Sequence, residues 1–199
     1  ISIEDARFYE HNGIDIVRIL GALWADIKAG GYVQGASTIS QQLIKLSHLS
    51  SEKTISRKAE EAVLAYQMER RCTKQDILEM YLNYVYFGGG YYGIEAAAMG
   101  YFGVHASELS LSQSAMLAGI LKSPGSYAPH LDYKASIERR NTILALMNRY
   151  GFISADEMAR ASAERPEIMR GQEEDYSGYY TDAVIQSAAE VLNITMDEL

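Results

Sequence analysis

Ile3-Glu4-Asp5-Ala6-Arg7-Phe8-Tyr9-Glu10-His11-Asn12-Gly13 is the stretch around which the rest of the chain is organised. Two adjacent carboxylates open it, an arginine and an aromatic pair follow, and a histidine and a glycine close it. A helix start could use Glu4 and Asp5 against its macrodipole, and for the stretch taken alone this structural interpretation stays open. The alternative is a catalytic carboxylate, which requires that the rest of the chain supply its partners.

The composition limits the classes of protein to which the chain can belong. It has 199 residues, of which 48% are hydrophobic, and this suits one sizeable globular domain or one domain with an appendage. The formal net charge of -8 argues against a nucleic-acid binder, which would carry a basic patch or stripe. The only cysteine, Cys72, cannot form an internal disulfide, and no apolar run is long enough to suggest a membrane span.

Helical spacing of apolar residues recurs along the chain and no strand alternation persists, so the predicted fold class is all-α. The first predicted helix covers residues 15–29, and both a core-facing and a lipid-facing role stand for it, because Trp24 and Lys28 would suit an interface. Capping pairs predict further helix starts at Thr38, Thr73, Ser110 and Ser154. The other predicted helices cover residues 56–71 with Ser56 as the N-cap, 94–101, 135–150 and 181–192.

A polar stripe lies on the helix that Thr38 starts. Ser37, Gln41 and Lys45 follow each other at four-residue steps, whereas Leu46 lies on another face and should point to the core. Such a stripe is usually a solvated surface. This one, however, contains donors and no carboxylate, and it begins at a helix N-terminus with free backbone N–H groups. That composition is typical of an anion site.

The next predicted helix places Glu61 on one face with Arg57 and Lys58. Surface ion pairs worth about 0.3 kcal/mol each would explain this arrangement, and so would a carboxylate in a cleft. The stretch from Lys45 to Lys58 is basic within an acidic protein, since Glu52 is its only carboxylate. Its cations are Lys45, Lys53, Arg57 and Lys58.

These residues together favour one kind of chemistry. A carboxylate base beside a cationic anion site fits displacement at a sugar carbon with a phosphate leaving group. The base would take the proton of the acceptor hydroxyl while the cations neutralise the departing oxygens. Nothing predicts a metal site built from His and Cys, because the four histidines are isolated, and no serine lies in a nucleophile elbow.

Five motifs between residue 3 and about residue 152 occur in a specific order. They are Glu4-Asp5…Phe8…His11…Gly13; Gly35…Ser37-Thr38-Ile39…Gln41-Gln42…Lys45; Arg57-Lys58…Glu61; Ile77-Leu78-Glu79…Tyr81-Leu82-Asn83 with Tyr86-Phe87-Gly88 and Tyr92-Gly93-Ile94; and Arg140…Ile143-Leu144…Met147. In this order they resemble the peptidoglycan glycosyltransferases of family 51, which occur in class A penicillin-binding proteins and in monofunctional transglycosylases.

The resemblance implies a two-lobed, lysozyme-like helical fold with a membrane-facing jaw at residues 15–29, acting on lipid II. Glu4 would be the general base on the acceptor 4-hydroxyl, which attacks the anomeric carbon with inversion while undecaprenyl pyrophosphate leaves. Glu61 would assist at the donor phosphates, directly or through a divalent cation (Mg²⁺ or Mn²⁺), and no organic cofactor is implied. The implied substrate-binding residues are Asp5, Ser37, Thr38, Gln41, Gln42, Lys45, Lys53, Arg57, Lys58, Asn83 and Arg140.

The resemblance also implies an organisation and a location. Residues 1–165 would form the glycosyltransferase domain, and residues 166–199 a linker and the start of a segment leading to a transpeptidase domain. Since the sequence does not begin with Met, we expect an excised part of a longer protein. The implied partners are lipid II, the growing glycan strand, the bilayer surface and other cell-wall synthesis proteins, at the outer face of the cytoplasmic membrane, with no nucleic acid.

Two other functions compete with this one. A lysozyme-like hydrolase or lytic transglycosylase would use Glu4 as an acid, but a neutral glycan needs no cluster of cations. A non-catalytic repeat scaffold would show self-similarity at a fixed period, and none is found. Some positions depart from the family pattern, namely Ala6, Leu46 and Lys53, and lysine at position 53 loses the bidentate fork of the usual arginine.

Overall fold

α-Helices make up most of the chain that the computed structural model describes, which is residues 1–31, 35–48 and 54–169. Within these ranges the only β-type pairing is an isolated bridge between Tyr86 and Tyr92, so the all-α prediction is confirmed there. Ala106–Glu108 forms a 3₁₀ turn. The helices are α1 (Ile16–Ala29), α2 (Ile39–His48), α3 (Ile55–Glu69), α4 (Lys74–Tyr84), α5 (Ile94–Phe102), α6 (Leu111–Ile120), α7 (Pro124–Tyr127), α8 (Tyr133–Arg149) and α9 (Ala155–Ala163).

Local capping chemistry starts most of these helices. At α4, Thr73 Oγ1 accepts from the backbone N–H of Asp76 at 3.2 Å, and the Asp76 carboxylate accepts from the Thr73 N–H at 2.8 Å. The capping boxes that precede α6 and α9 are also present. The predicted N-cap of α3 is wrong, because Thr54 has the extended backbone of a cap and accepts from the Arg57 N–H at 3.2 Å, which leaves Ser56 inside the first turn.

Helix α7 was not predicted, since the sequence around Pro124 indicated only the end of α6. Proline at its first position costs no hydrogen bond there, which is why a short helical turn is compatible with it. The predicted helix at residues 181–192, nearly all of the linker at 166–199, and Lys53 lie outside the described residues.

The N-terminal stretch is anchored in the main hydrophobic cluster. Phe8 is fully buried there with Tyr81, Tyr101 and Leu117. Gly13 has a φ of +88°, and a Cβ at this position would lie 2.8 Å from backbone atoms of α3. Only glycine permits both the conformation and the close approach, so the stretch packs directly against α3.

Helix α1 faces outward. Five of its apolar residues, Ile16, Val17, Leu20, Trp24 and Ile27, are each between 59% and 75% exposed, whereas Ile19 is half-buried and Ala22 is buried. The core-facing interpretation of residues 15–29 is therefore wrong, and the lipid-facing alternative remains. None of the described helices is long and apolar enough to cross a membrane.

Candidate active site

Two helices hold the carboxylate of Glu4. Gln42 of α2 donates from Nε2 to Glu4 Oε2 at 3.2 Å, and Tyr81 of α4 donates its hydroxyl to Gln42 Oε1 at 2.9 Å. Burial, and secondarily the negative charge of Glu4, raises the pKa of the Tyr81 hydroxyl, so this group remains a donor. One oxygen of Glu4 is thereby oriented by a chain of neutral side chains, and Glu4 itself is half-buried.

Asp5, the neighbour of Glu4, has a different role. Its side chain is fully buried, accepts from the backbone N–H of Ile39 at 3.0 Å, and contacts His11 Nε2 at 3.0 and 3.1 Å. Ile39 is the first residue of α2, so Asp5 satisfies a free amide at that helix start. The expected contact of Asp5 with substrate does not fit this burial, and the structure places Asp5 beneath the site.

The side chains of Thr38 and Gln41 likewise form hydrogen bonds within the protein. Thr38 Oγ1 accepts from the Gln41 N–H at 3.1 Å and donates to the Gly13 carbonyl at 2.7 Å, while Gln41 Oε1 accepts from the Thr38 N–H at 3.0 Å. Both side chains are buried, so the predicted polar stripe is interrupted and neither residue is placed to touch a substrate. Leu46, predicted to point to the core, is instead 48% exposed.

A second carboxylate lies among cations in the N-terminal half of α3. Glu61 is 1% exposed, and its Oε1 contacts Nζ of Lys58 while its Oε2 lies 3.5 Å from Nη1 of Arg57. Lys58 also donates to Ser37 Oγ at 2.7 Å. Two cations share one carboxylate here, and Arg57 Nε is buried without a hydrogen-bond partner among the described residues. The surplus positive charge suits an anionic ligand.

Arg18 of α1 contacts both the segment that carries Glu4 and the segment that carries Ser37, the partner of Lys58. Its Nη1 contacts the backbone carbonyl of Glu4, lies 3.4 Å from the carbonyl of Ser37, and lies 4.0 Å from Asp5 Oδ1. Through Arg18 the segment that carries Glu4 is tied to the segment that binds Lys58. Sequence reasoning missed Arg18, because the apolar spacing of α1 says nothing about what its polar face contacts.

A pocket of about 220 Å³ adjoins Glu4, since it shares Gln42 and Tyr81 with the chain of hydrogen bonds to that residue. Lys45 is the cation on its wall and is exposed to solvent. The complete lining is Gln42, Lys45, Leu46, Tyr81, Val85, Tyr86, Leu121 and Pro124. The pocket therefore offers an apolar surface with one amide and one ammonium group near the carboxylate.

The remaining two expected substrate-binding residues differ in exposure. Arg140 is fully buried between α6, α8 and α9, where it donates at 2.8 Å to Ser112 Oγ and to the carbonyls of Ser162 and Glu164. Its guanidinium has no surface to offer a substrate, so that expectation does not fit the structure. Asn83 is exposed on α4.

The surroundings of Glu61 do not fit a divalent cation. Both of its oxygens face the cations Lys58 and Arg57, so a metal ion bound there would meet like charge. No group of three or more His, Cys, Asp or Glu side chains suited to a metal occurs among the described residues. Glu61 is therefore the counter-charge of Lys58 and Arg57.

Comparisons with known proteins place the chain in a family. A family model described as Transglycosylase matches residues 1–148. Penicillin-binding protein 1F of Bacillus subtilis is 43% identical over 201 residues, covering 100% of this chain and 28% of the relative. Penicillin-binding protein 1A of Streptococcus oralis is 48% identical over 164 residues, covering 81% of this chain and 26% of the relative.

A crystal structure of penicillin-binding protein 1A from Haemophilus influenzae aligns with a TM-score of 0.48 and 30% identity, covering 76% of this chain and 19% of that chain. The chain spans less than a third of the length of these relatives. Because the family model covers most of its sequence, the chain belongs to the transglycosylase family, and the relatives that it matches are penicillin-binding proteins.

Proposed function

We propose that this domain polymerises lipid II into glycan strands. The observation that carries the proposal is the placement of Glu4, whose carboxylate is oriented by Gln42 beside a pocket that contains Lys45. The cationic group around Glu61 is tied to the same segment through Arg18. A glycan-cleaving hydrolase would need the carboxylate but not the surplus of cations.

In the proposed reaction Glu4 is the general base. Its carboxylate takes the proton of the acceptor 4-hydroxyl, whose oxygen forms a bond to the anomeric carbon of the growing strand from the face opposite the leaving group. The bond from that carbon to the diphosphate oxygen breaks, and the electron pair leaves with the lipid diphosphate. Inversion follows from this in-line displacement, and the base contributes about 10²- to 10⁴-fold to the rate.

The cations stabilise the leaving group. Lys45, Arg57 and Lys58 would neutralise the charge that develops on the diphosphate oxygens. Glu61 would act by holding Arg57 and Lys58 in place, because its oxygens already face those two side chains. This assignment gives Glu61 a role in the reaction without a contact to the sugar.

The exposed apolar face of α1 supports a further part of the proposal, namely that the domain works against a lipid bilayer. Trp24 and Ile27 are more than two-thirds exposed, and Lys28 follows them in the last turn of the helix. Apolar side chains with an adjacent cation suit the headgroup boundary of an anionic membrane. We therefore propose that the domain contacts the bilayer through α1. The outer face of the cytoplasmic membrane, and other cell-wall synthesis proteins as partners, are what the family resemblance implies.

The test is Glu4→Gln, which keeps the shape of the side chain and removes the base. We expect the rate of lipid II polymerisation to fall by at least about 100-fold, because a neutral amide cannot accept the hydroxyl proton. Glycan products are measured by gel electrophoresis, and circular dichroism with thermal unfolding is the control for folding. Normal glycan synthesis by a folded Glu4→Gln protein would refute Glu4 as the base.

A further inference from the structure

A second ionic group lies beneath the Glu4 segment, and the proposed reaction does not use it. Glu69 ends α3 and Lys74 begins α4, and Glu69 Oε2 lies 2.6 Å from Lys74 Nζ. The Glu69 side chain is 2% exposed. Lys74 also donates to the His11 carbonyl at 2.7 Å, and its ammonium lies 4.4 Å from the centre of the Phe8 ring. Lys74 thus contacts the N-terminal stretch at two points.

The pair also reaches the helix that carries Gln42. Ser40 of α2 donates its hydroxyl to Glu69 Oε1. His11 lies between the two carboxylates, with Nε2 on Asp5 and Nδ1 4.0 Å from Glu69 Oε1. The ion pair therefore connects the two segments that form the Glu4–Gln42 hydrogen bond. Lys74 contacts the N-terminal stretch, which carries Glu4, and Glu69 contacts α2, which carries Gln42.

We propose that Glu69 and Lys74 are positioning residues for the general base Glu4. They hold the His11 main chain and the start of α2 in register, so that Asp5 caps Ile39 and the adjacent Glu4 meets Gln42. The inference rests on the proposed function. It adds two residues that touch neither substrate nor reacting atoms and that act through His11 and Asp5.

A purely structural role is the competing explanation, and the chemistry of buried ion pairs separates the two. Apolar residues of similar volume often replace a buried ion pair without loss of stability. Methionine at positions 69 and 74 would fill the space, but it would offer no donor to the His11 carbonyl and no acceptor to the Ser40 hydroxyl. The ion pair is therefore needed to orient the His11 carbonyl and the Ser40 hydroxyl, whereas methionine could fill the same volume.

The experiment compares Lys74→Met, Lys74→Arg and the double variant Glu69→Met with Lys74→Met in the purified protein. The double variant guards against misfolding, because it leaves no unpaired buried charge. We measure kcat and KM for lipid II polymerisation, and hydrogen exchange of the Ile39 amide, which reports the Asp5 cap without reference to activity. Ile143→Ala, in the second hydrophobic cluster, is the control for a loss of stability alone.

We expect kcat of Lys74→Met and of the double variant to fall about tenfold or more while KM changes by less than about twofold, since misplacement of a catalytic group acts on the chemical step. Exchange at Ile39 should accelerate in the same variants, and Lys74→Arg should recover most of kcat. Ile143→Ala should lower the melting temperature without changing kcat of the folded protein.

Three results would overturn the positioning role. They are a folded double variant with unchanged kcat, a fall in kcat without faster exchange at Ile39, and a rise in KM alone. Failure of the unsubstituted protein to polymerise lipid II would instead refute the proposed function. In that case the exchange of the Ile39 amide in the variants would still decide whether Glu69 and Lys74 hold the cap.

Discussion

Gln42 donates to Glu4 Oε2 at 3.2 Å and accepts from Tyr81 at its own carbonyl, so a neutral amide connects a buried phenol with the half-buried carboxylate. The amide of Gln42 donates a directional hydrogen bond to the carboxylate and brings no formal charge to it. Arg18 contacts the main chain of the same residue instead of its side chain. The Arg18 guanidinium therefore holds the backbone of Glu4, and the Gln42 amide orients its carboxylate.

Gln42→Leu tests this orientation. We expect kcat for lipid II polymerisation to fall by roughly 10- to 100-fold, because the carboxylate loses its only donor among the described side-chain contacts. Tyr81→Phe is the matched control, since it removes the hydroxyl but leaves the Gln42 donor in place. It should therefore lower kcat by less. A folded Gln42→Leu protein with unchanged kcat would show that Gln42 does not orient Glu4.

Lys45→Ala tests the cation on the wall of the pocket. We expect the affinity for a phosphoglycolipid of the moenomycin type to fall roughly tenfold, because a charge-assisted hydrogen bond to phosphate is lost. Fluorescence polarisation with a labelled phosphoglycolipid measures the change. Lys134→Ala removes an exposed lysine from α8 and should have no effect. Unchanged binding by Lys45→Ala would remove this residue from the site.

Arg140→Met distinguishes a structural arginine from a substrate-binding one. We expect the free energy of unfolding to fall by about 3 kcal/mol, because Ser112 and the carbonyls of Ser162 and Glu164 lose a charged donor in a buried place. The KM for lipid II should not change. Urea unfolding and steady-state kinetics measure the two quantities. A raised KM with unchanged stability would return Arg140 to the substrate site.

Leu20→Glu tests the lipid-facing role of α1. Leu20 is 61% exposed, and insertion of such a side chain into a bilayer gains about 1.5–3 kcal/mol, so binding to anionic liposomes should fall about tenfold or more. Leu131→Glu is the matched control, because Leu131 is also 61% exposed and lies between α7 and α8. Co-sedimentation with vesicles measures both. Equal losses would show that α1 is not the docking face.

Local chemistry determined most helix starts, which is why the sequence predicted them. The Thr73–Asp76 and Ser154–Glu157 boxes involve residues three apart, and their hydrogen bonds depend on little beyond the first turn of the helix. The predicted start of α3 was wrong because Thr54 and Ser56 can both act as N-caps, and local chemistry does not choose between them. The all-α class and the order of the five motifs likewise required no tertiary information.

The site depended more on packing between distant segments. Glu4 and Asp5 are adjacent carboxylates, yet Asp5 is buried under Ile39, a residue 34 positions away, and Glu4 is not. Arg140 matched a family motif but lies among α6, α8 and α9, and Arg18 had no signal in the sequence at all. Long-range contacts and the cost of desolvation determine which of two similar side chains is exposed to solvent. Local sequence patterns contain no information about these contacts.

The sequence by itself determined the class of fold, the helix starts and the set of chemically competent residues. The tertiary structure alone decided which of these residues lie at the candidate site and which are buried in the fold. It brought Gln42 to Glu4, enclosed Glu61 between two cations, and withdrew Asp5, Thr38, Gln41 and Arg140 from the surface. The physical reason is that periodicity and capping act over a few residues, whereas burial and charge pairing join residues far apart in the chain.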